Sequence, residues 1–261
     1  MIDLGLFRNV LVSEWTKLRS VRSTYWCVLV SIIVGVGLGA AISAGSAAGY
    51  SQESLHDQLL FDPAAISLAG LFFSQLALGV FAIMTVSAEY STGMIRSTVA
   101  AVPQRGYLLA AKATMVALVS FVTSIAVAFT AFPIGQAILN RHHLGVSLGA
   151  PHVARAVLGG GLYIGALSLM ALGLATIIRH TAGAITALVA VVFIIPIVTQ
   201  LLPDSLQHDF ARYLPANAGS AITNVVQTSD SLGPWSGYAV FLAWTALVIA
   251  IGYYMLRTRD V

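Results

Sequence analysis

Residues 63–88 read PAAISLAGLFFSQLALGVFAIMTVSA, twenty-six positions without one Asp, Glu, Lys or Arg. A helix crossing a hydrocarbon core of about 30 Å needs roughly 20 apolar residues, so this stretch is a complete span. Working outward, five more stretches have the same character: Ser23–Gln52, Ala113–Asn140, Ala156–Ile178, Thr181–Pro203 and Ser231–Leu256. Transmembrane strands would need segments of about ten residues that alternate in polarity. These runs are continuous and twice that long. A further uncharged stretch, Tyr213–Ser229, is shorter and carries Pro215, Asn217, Thr223, Asn224 and Gln227, so it reads as a surface helix or a dip into the membrane.

Composition agrees with the spans. Of 261 residues, 58% are hydrophobic and 9% charged, with a mean hydropathy of +0.87. A soluble domain carries about 25% charged residues and could not cover its surface with so few. The one cysteine, Cys27, excludes a disulfide scaffold and multi-cysteine metal sites. Ala44, Ser46 and Ala48 resemble a signal cleavage site. The apolar run before them exceeds the roughly 7–15 residues of a signal core and begins late, so it reads as an uncleaved signal-anchor. The expected fold is all-α and polytopic, with six transmembrane helices at about 25–47, 65–88, 113–136, 156–178, 181–202 and 235–256.

Basic residues set the orientation. With six spans both termini share one side, and that side collects Arg8, Lys17, Arg19, Arg22, Arg96, Arg105, Lys112, Arg179, Arg257 and Arg259. Only Arg141, Arg155 and Arg212 fall opposite. This bias predicts cytoplasmic termini in a plasma-membrane protein. The opposite loops hold Glu53, Asp57, Asp62, Asp204, Asp209 and Asp230. Tyr25 and Trp26, Trp235 and Tyr238, and Tyr253 and Tyr254 sit where interface anchors belong. The basic balance thus reflects topology and implies no nucleic-acid partner.

Residues 1–24 are expected to form a cytoplasmic amphipathic helix. At helical period, Leu4, Phe7, Leu11, Trp15, Leu18 and Val21 share one face, with Asn9, Ser13, Thr16, Arg19, Ser20 and Arg22 opposite. Such a helix lies in the inner membrane surface. Glu14 falls near the apolar edge, within pairing reach of Lys17 three residues on. Between the second and third spans, residues 89–112 are a cytoplasmic segment in which Gly93 permits a sharp turn, Met94 to Val102 suits a short helix, and Pro103 stops it. Residues 203–234 form the largest outer loop and 257–261 a cytoplasmic tail.

The spans contain no buried carboxylate or cation of the kind an ion-coupled transporter uses. A phosphate-binding Gly-rich loop with Lys is missing, as are H-E-x-x-H and G-x-S-x-G. His56, His142, His143, His152, His180 and His208 all fall in expected loops or span ends. Gly35/Gly39, Gly45/Gly49 and Gly161/Gly165 allow close helix approach, and Pro133 and Pro196 should kink their spans. Uncharged polar residues within the spans, Gln75, Thr85, Thr186 and Thr199 among them, are candidates for hydrogen bonds between helices or for a substrate pathway.

Four segments resemble the permease subunits of type-2 ABC transporters, the six-span, exporter-like class, in wording most similar to actinobacterial members. They are Ser13–Trp26 before the first span; Glu89-Tyr-Ser-Thr-Gly-Met-Ile-Arg-Ser-Thr with Pro103-Gln-Arg and Lys112; Tyr213-Leu-Pro-Ala in the last outer loop; and Leu256–Val261. They run in order over nearly the whole chain. One departure is Met94 after Gly93, where Thr is expected. The resemblance implies an ATPase-coupling helix drawn from Glu89, Tyr90, Gly93, Met94, Ile95, Arg96 and Arg105. It implies that the interfacial helix, with Glu14, Trp15, Lys17 and Arg19, flanks that contact, and that short outer helices cap the pathway. The implied partners are a pair of ATP-binding subunits, a second permease copy or paralogue placed near spans two and five, and the lipid bilayer. ATP and Mg would be bound by the ATPase and no cofactor by this chain. The implied function is export of an amphipathic small molecule, peptide or lipid. A lipid-modifying membrane enzyme, using outer His142, His143 and Asp204, and a membrane protein that sequesters a peptide without turnover are the alternative readings.

Overall fold

The computed structural model describes residues 4–52, 54, 56, 58, 61–199, 210–225 and 231–259. Among them are eleven α-helices: α1 (Leu4–Ser20), α2 (Arg22–Gly49), α3 (Pro63–Leu68), α4 (Leu71–Ser91), α5 (Met94–Ala101), α6 (Arg105–Leu139), α7 (Val153–Ile178), α8 (Thr181–Val189), α9 (Ile195–Thr199), α10 (Pro215–Ser220) and α11 (Pro234–Thr258). Six helical segments are long and apolar enough to cross a membrane: α2, α3 with α4, α6, α7, α8 through α9, and α11. The protein is an all-α polytopic membrane protein. The helices overrun the uncharged stretches, so that α2 starts at Arg22 and α6 at Arg105, eight residues before its apolar run begins.

The most buried span, α7, packs against α4, α6 and α11. Lipid tails are as apolar as Leu, so burial alone does not hold such helices together. Close packing and hydrogen bonds between helices do. Small residues make the approach possible. A Cβ on Gly161 would lie 2.6 Å from Ile125 of α6, and one on Gly165 would strike the Phe121 ring. Gly35 and Gly39 of α2 face the break between α3 and α4, where a Cβ on Gly70 would strike the Gly35 carbonyl and lie 2.6 Å from the Gly39 nitrogen. Gly45 and Gly49, an identical motif by sequence, face open space. Ser31 and Ser74 share a 2.7 Å hydrogen bond between α2 and α4, and the Ser124 hydroxyl donates to the Gly161 carbonyl at 2.8 Å.

Proline acts differently at its two span positions. The α6 helix runs through Pro133 without interruption. Ahead of Pro196 the chain widens into a π-helical turn at Ala190–Ile194 before α9 resumes. A proline ring displaces the carbonyl four residues back and removes a donor, and a π turn absorbs both defects. At the start of the second span, Asp62 caps α3, accepting from Ala64 N at 2.9 Å and Ala65 N at 3.1 Å.

The polar stretch after the fifth span enters the bundle. In α10 and the following turn, Ala218 and Ile222 are fully buried. A Cβ on Gly237 of α11 would lie 2.6 Å from the Ala218 carbonyl, and one on Gly159 of α7 would lie 2.7 Å from the Ile222 carbonyl. The carbonyls at the end of this dip are satisfied by Arg155, which donates to Ile222 O at 3.1 Å and Asn224 O at 2.8 Å. Of the expected outer loop, residues 203–209 and 226–230 lie outside the described residues, as do Glu53, Asp57, Asp204, Asp209 and Asp230.

Gly70→Ala is expected to cost about 1–3 kcal/mol through overpacking, whereas Gly45→Ala should be neutral or slightly stabilising. Thermal unfolding of the detergent-purified variants measures both, and equal midpoints would contradict the close approach of α2 to Gly70.

Candidate functional site

Four charged side chains meet at the end of the bundle that carries α1. Glu14 comes from α1, one turn before Lys17. Glu89 lies near the end of α4, and Lys112 lies two turns into α6. Because α4 and α6 run in opposite directions on either side of α5, residues that close and reopen the apolar runs stand at one depth. The Lys112 ammonium donates to Glu14 Oε2 at 2.8 Å, to Glu89 Oε1 at 2.8 Å and to the Thr85 carbonyl at 3.2 Å. The Lys17 ammonium donates to Glu14 Oε1 at 2.7 Å and Glu89 Oε1 at 2.8 Å. Glu14, Glu89 and Lys112 are each 4–5% exposed. The formal charges cancel, and the cluster ties α1 to α4 and α6.

Each charge would be costly alone. Removing an ion from water costs several kcal/mol, and a buried pair repays this only with good geometry and saturated hydrogen bonds. Three of the four groups come close to that. All three donors of Lys112 and both oxygens of Glu14 are used, and Lys17, at 28% side-chain exposure, keeps access to solvent. The exception is Glu89, whose Oε2 is buried without a hydrogen-bond partner. Burial pushes the Lys17 amine down, but hydrogen bonds and charge from Glu14 and Glu89 outweigh it and leave the pKa above its usual 10.5.

This arrangement turns α1 relative to its apolar stripe. The row that faces the bundle is Val10, Glu14 and Leu18, while Leu4 and Trp15 on the stripe's far side are exposed, as is Arg19. Glu14 therefore occupies the middle of the protein-facing row. The helix has one face for the bundle, an adjoining apolar face free of this chain, and a basic and hydroxyl face beyond.

The segment from Glu89 to Arg105 divides in two. Gly93 adopts a left-handed backbone, φ +71°, with open space about its Cα, and starts α5. On α5 only Ile95 is buried, while Met94 and Arg96 are exposed. The flanks turn inward. Besides Glu89, Tyr90 lies under the Arg179 guanidinium at 5.1 Å, and that guanidinium donates to Met255 O at 3.2 Å. Arg105 donates to the carbonyls of Leu256, Arg257 at 3.4 Å and Arg259 at 3.1 Å, closing the C-terminal end of α11. Cationic donors suit a helix C-terminus, where carbonyls lack partners.

A model of the ABC-2 family transporter protein matches residues 10–197, from α1 through α9. The chain belongs to the ABC-2 transporter family. Among curated proteins, none matches the chain. The matched region contains every residue of the charge cluster and all of α5. The protein is thus an ABC-2 membrane subunit, and its family places it among transport subunits.

In this ABC-2 permease the four polar residues singled out as a substrate pathway do not come together. Gln75 is buried in the half of α4 away from the cluster and donates to Phe72 O at 2.7 Å. Thr85 donates to Ala82 O at 2.7 Å, next to Lys112. Thr186 is exposed and Thr199 buried, each bonded within its own helix. Gln75 does line a cavity of about 290 Å³, together with Phe72, Tyr163, Val192 and Asn217.

Lys112 is the residue that sequence reasoning passed over as a site. Its signal was present: Glu89 ends one apolar run and Lys112 immediately precedes the next, so opposite charges flank a hairpin of spans. Lys112→Met is expected to destabilise the fold by about 3–5 kcal/mol, since it leaves two buried carboxylates facing one half-buried ammonium. Replacing Glu14, Lys17, Glu89 and Lys112 together by apolar residues should recover most of that loss in thermal unfolding. The pH response follows from the raised Lys17 pKa. Below its ordinary value the amine is charged in both folded and unfolded chains and its contribution is fully present, and it is lost as pH rises through the folded value. The attachment of α1 should hold from neutral pH to about 10.5 and loosen above it. Emission from a variant keeping Trp15 as its only tryptophan follows this, and a transition near pH 8 would contradict it.

Proposed function

We propose that the chain is the membrane half of an ATP-driven exporter, energised by a separate pair of ATP-binding subunits and paired with a second permease copy or paralogue. The end that carries α1, α5 and Arg257 faces the cytoplasm of a plasma-membrane protein, in keeping with the ten-to-three distribution of Lys and Arg. The cargo is an amphipathic small molecule, peptide or lipid. ATP and Mg belong to the partner, in keeping with the lack of a phosphate-binding loop in this sequence.

The observation that carries this reading is α5. It is a short helix with exposed Met94 and Arg96, rooted at both ends in ion pairs and carbonyl caps that reach α1, α4, α6, α7 and α11. A rigid stub of this kind passes a push from a docked protein into several spans at once. The requirement is modest: moving a two-state equilibrium from 1:99 to 99:1 takes about 5.5 kcal/mol. On this reading Met94 and Arg96 meet the ATPase, while Glu89, Tyr90, Gly93, Ile95 and Arg105 hold α5 in place. Glu14, Trp15, Lys17 and Arg19 brace its neighbour α1.

The test is co-purification with a candidate ABC ATP-binding subunit co-expressed with this chain. Arg96→Glu should weaken binding by about tenfold or more while membrane insertion and thermal stability stay unchanged. Undiminished binding and transport in Arg96→Glu and Met94→Asp would overturn the assignment of α5 as the docking helix.

A further inference from the structure

We infer that the groove between the start of α6 and the end of α11 binds the phosphate headgroup of an anionic phospholipid. The groove holds about 720 Å³ and is lined by Arg105 and Arg257. Among the described residues no carboxylate lines it. Over residues 252–261 the sequence holds two Arg and one Asp, so that segment and Arg105 together stay net positive. A cationic headgroup would meet like charge here, whereas an anion offsets it.

Both guanidinium groups are held in place and still have donors to give. Arg105 spends Nη1 on the carbonyls that end α11, at Leu256, Arg257 and Arg259. Its Nε and Nη2 make no hydrogen bond and are not buried. Arg257 lies over the Tyr253 ring, 5.6 Å from its centroid. Gly106 lets that ring approach α6, since a Cβ there would stand 3.3 Å from the phenol oxygen. A stacked guanidinium uses its face and leaves the N–H edge free. Phosphate oxygens match such an edge in charge and in bidentate geometry.

The floor of the groove decides which phosphate. Ala110 lines it, three residues before the uncharged run of α6 begins at Ala113. Tyr253 lines it too, at the depth where interfacial tyrosines sit. From Ala110 an exposed row continues along α6 through Thr114, Leu118 and Val122. At about 1.5 Å per residue this row runs for about 18 Å, more than one leaflet of a core about 30 Å thick. An acyl chain lies along the row while its phosphate reaches the arginines. A free phosphate would leave the row unused.

Lipid binding of this kind requires neither the ATPase nor a direction of transport. Native mass spectrometry of the detergent-purified protein compares phosphatidylglycerol with phosphatidylcholine, whose headgroup has no net charge, at equal chain length. Phosphatidylglycerol should bind at least about tenfold more tightly, a margin of about 1.4 kcal/mol. Arg257→Gln removes one unspent cation from an exposed position and leaves the Arg105 clamp intact. It should cut the preference to about threefold or less, with the thermal midpoint unchanged. Arg141→Gln, at the far end of α6, should bind as the parent does. Equal binding of the two lipids, an undiminished preference in Arg257→Gln, or an equal loss in Arg141→Gln would overturn the proposal. Glycerol 3-phosphate at the same concentration should leave the lipid bound, and displacement would reassign the groove to a soluble phosphate.

Discussion

Glu14, Lys17, Glu89 and Lys112 form a neutral square of ion pairs at the end of a bundle whose apolar runs carry no charge. None of the three buried members tolerates the loss of its partners, so α1 has one seat: the register that brings Glu14 against both lysines. Apolar packing alone would not specify this. The stripe on α1 could slide or roll against lipid at little cost, because hydrocarbon does not distinguish one Leu from the next. The ion pairs do distinguish, since a shift of one residue would leave carboxylates unpaired.

The same logic recurs around that end. Arg105 closes the carbonyls of α11, and Arg179 reaches both Tyr90 and Met255. Four spans that end here are thus tied by a cation to a neighbour, α4 and α6 through Lys112, α7 through Arg179 and α11 through Arg105, while the start of α8 is held by the hydrogen bond from Thr181 to Ser87. The opposite end is held differently. There Gln136 bridges Pro63, Ser67 and Val146, and Arg155 holds the α10 dip. Ionic fastening at one end and mainly amide or carbonyl fastening at the other fits a protein whose basic residues collect on one side.

The spans were legible because a bilayer imposes a simple rule, and uninterrupted apolar runs of the required length satisfy it without tertiary information. What was illegible depends on neighbours. Gly35/Gly39 and Gly45/Gly49 look alike in sequence, yet only the first pair meets another helix. The amphipathic pattern of α1 identified a helix but not which edge meets the bundle, because Glu14 reads as a blemish until Lys112 stands opposite. The polar stretch around α10 left its depth open, since Arg155 satisfies its terminal carbonyls from a distant element. The Glu89–Arg105 segment read as one functional unit. The structure divides it into an exposed helix and two anchored flanks, a distinction carried by contacts more than 150 residues apart for Arg105.

A membrane protein can bury apolar side chains here at no electrostatic cost, and replacing a buried ion pair by well-packed apolar residues is often neutral or stabilising. The cluster is therefore poorly explained as a stabilising device. What it supplies is orientation. Glu89 meets both lysines four residues before the Gly93 turn that starts α5, so one carboxylate sets both the seat of α1 and the root of α5. On the proposed reading, a load on α5 is therefore felt by α1 through Glu89. By reciprocity, whatever displaces α1 must alter how α5 meets its partner.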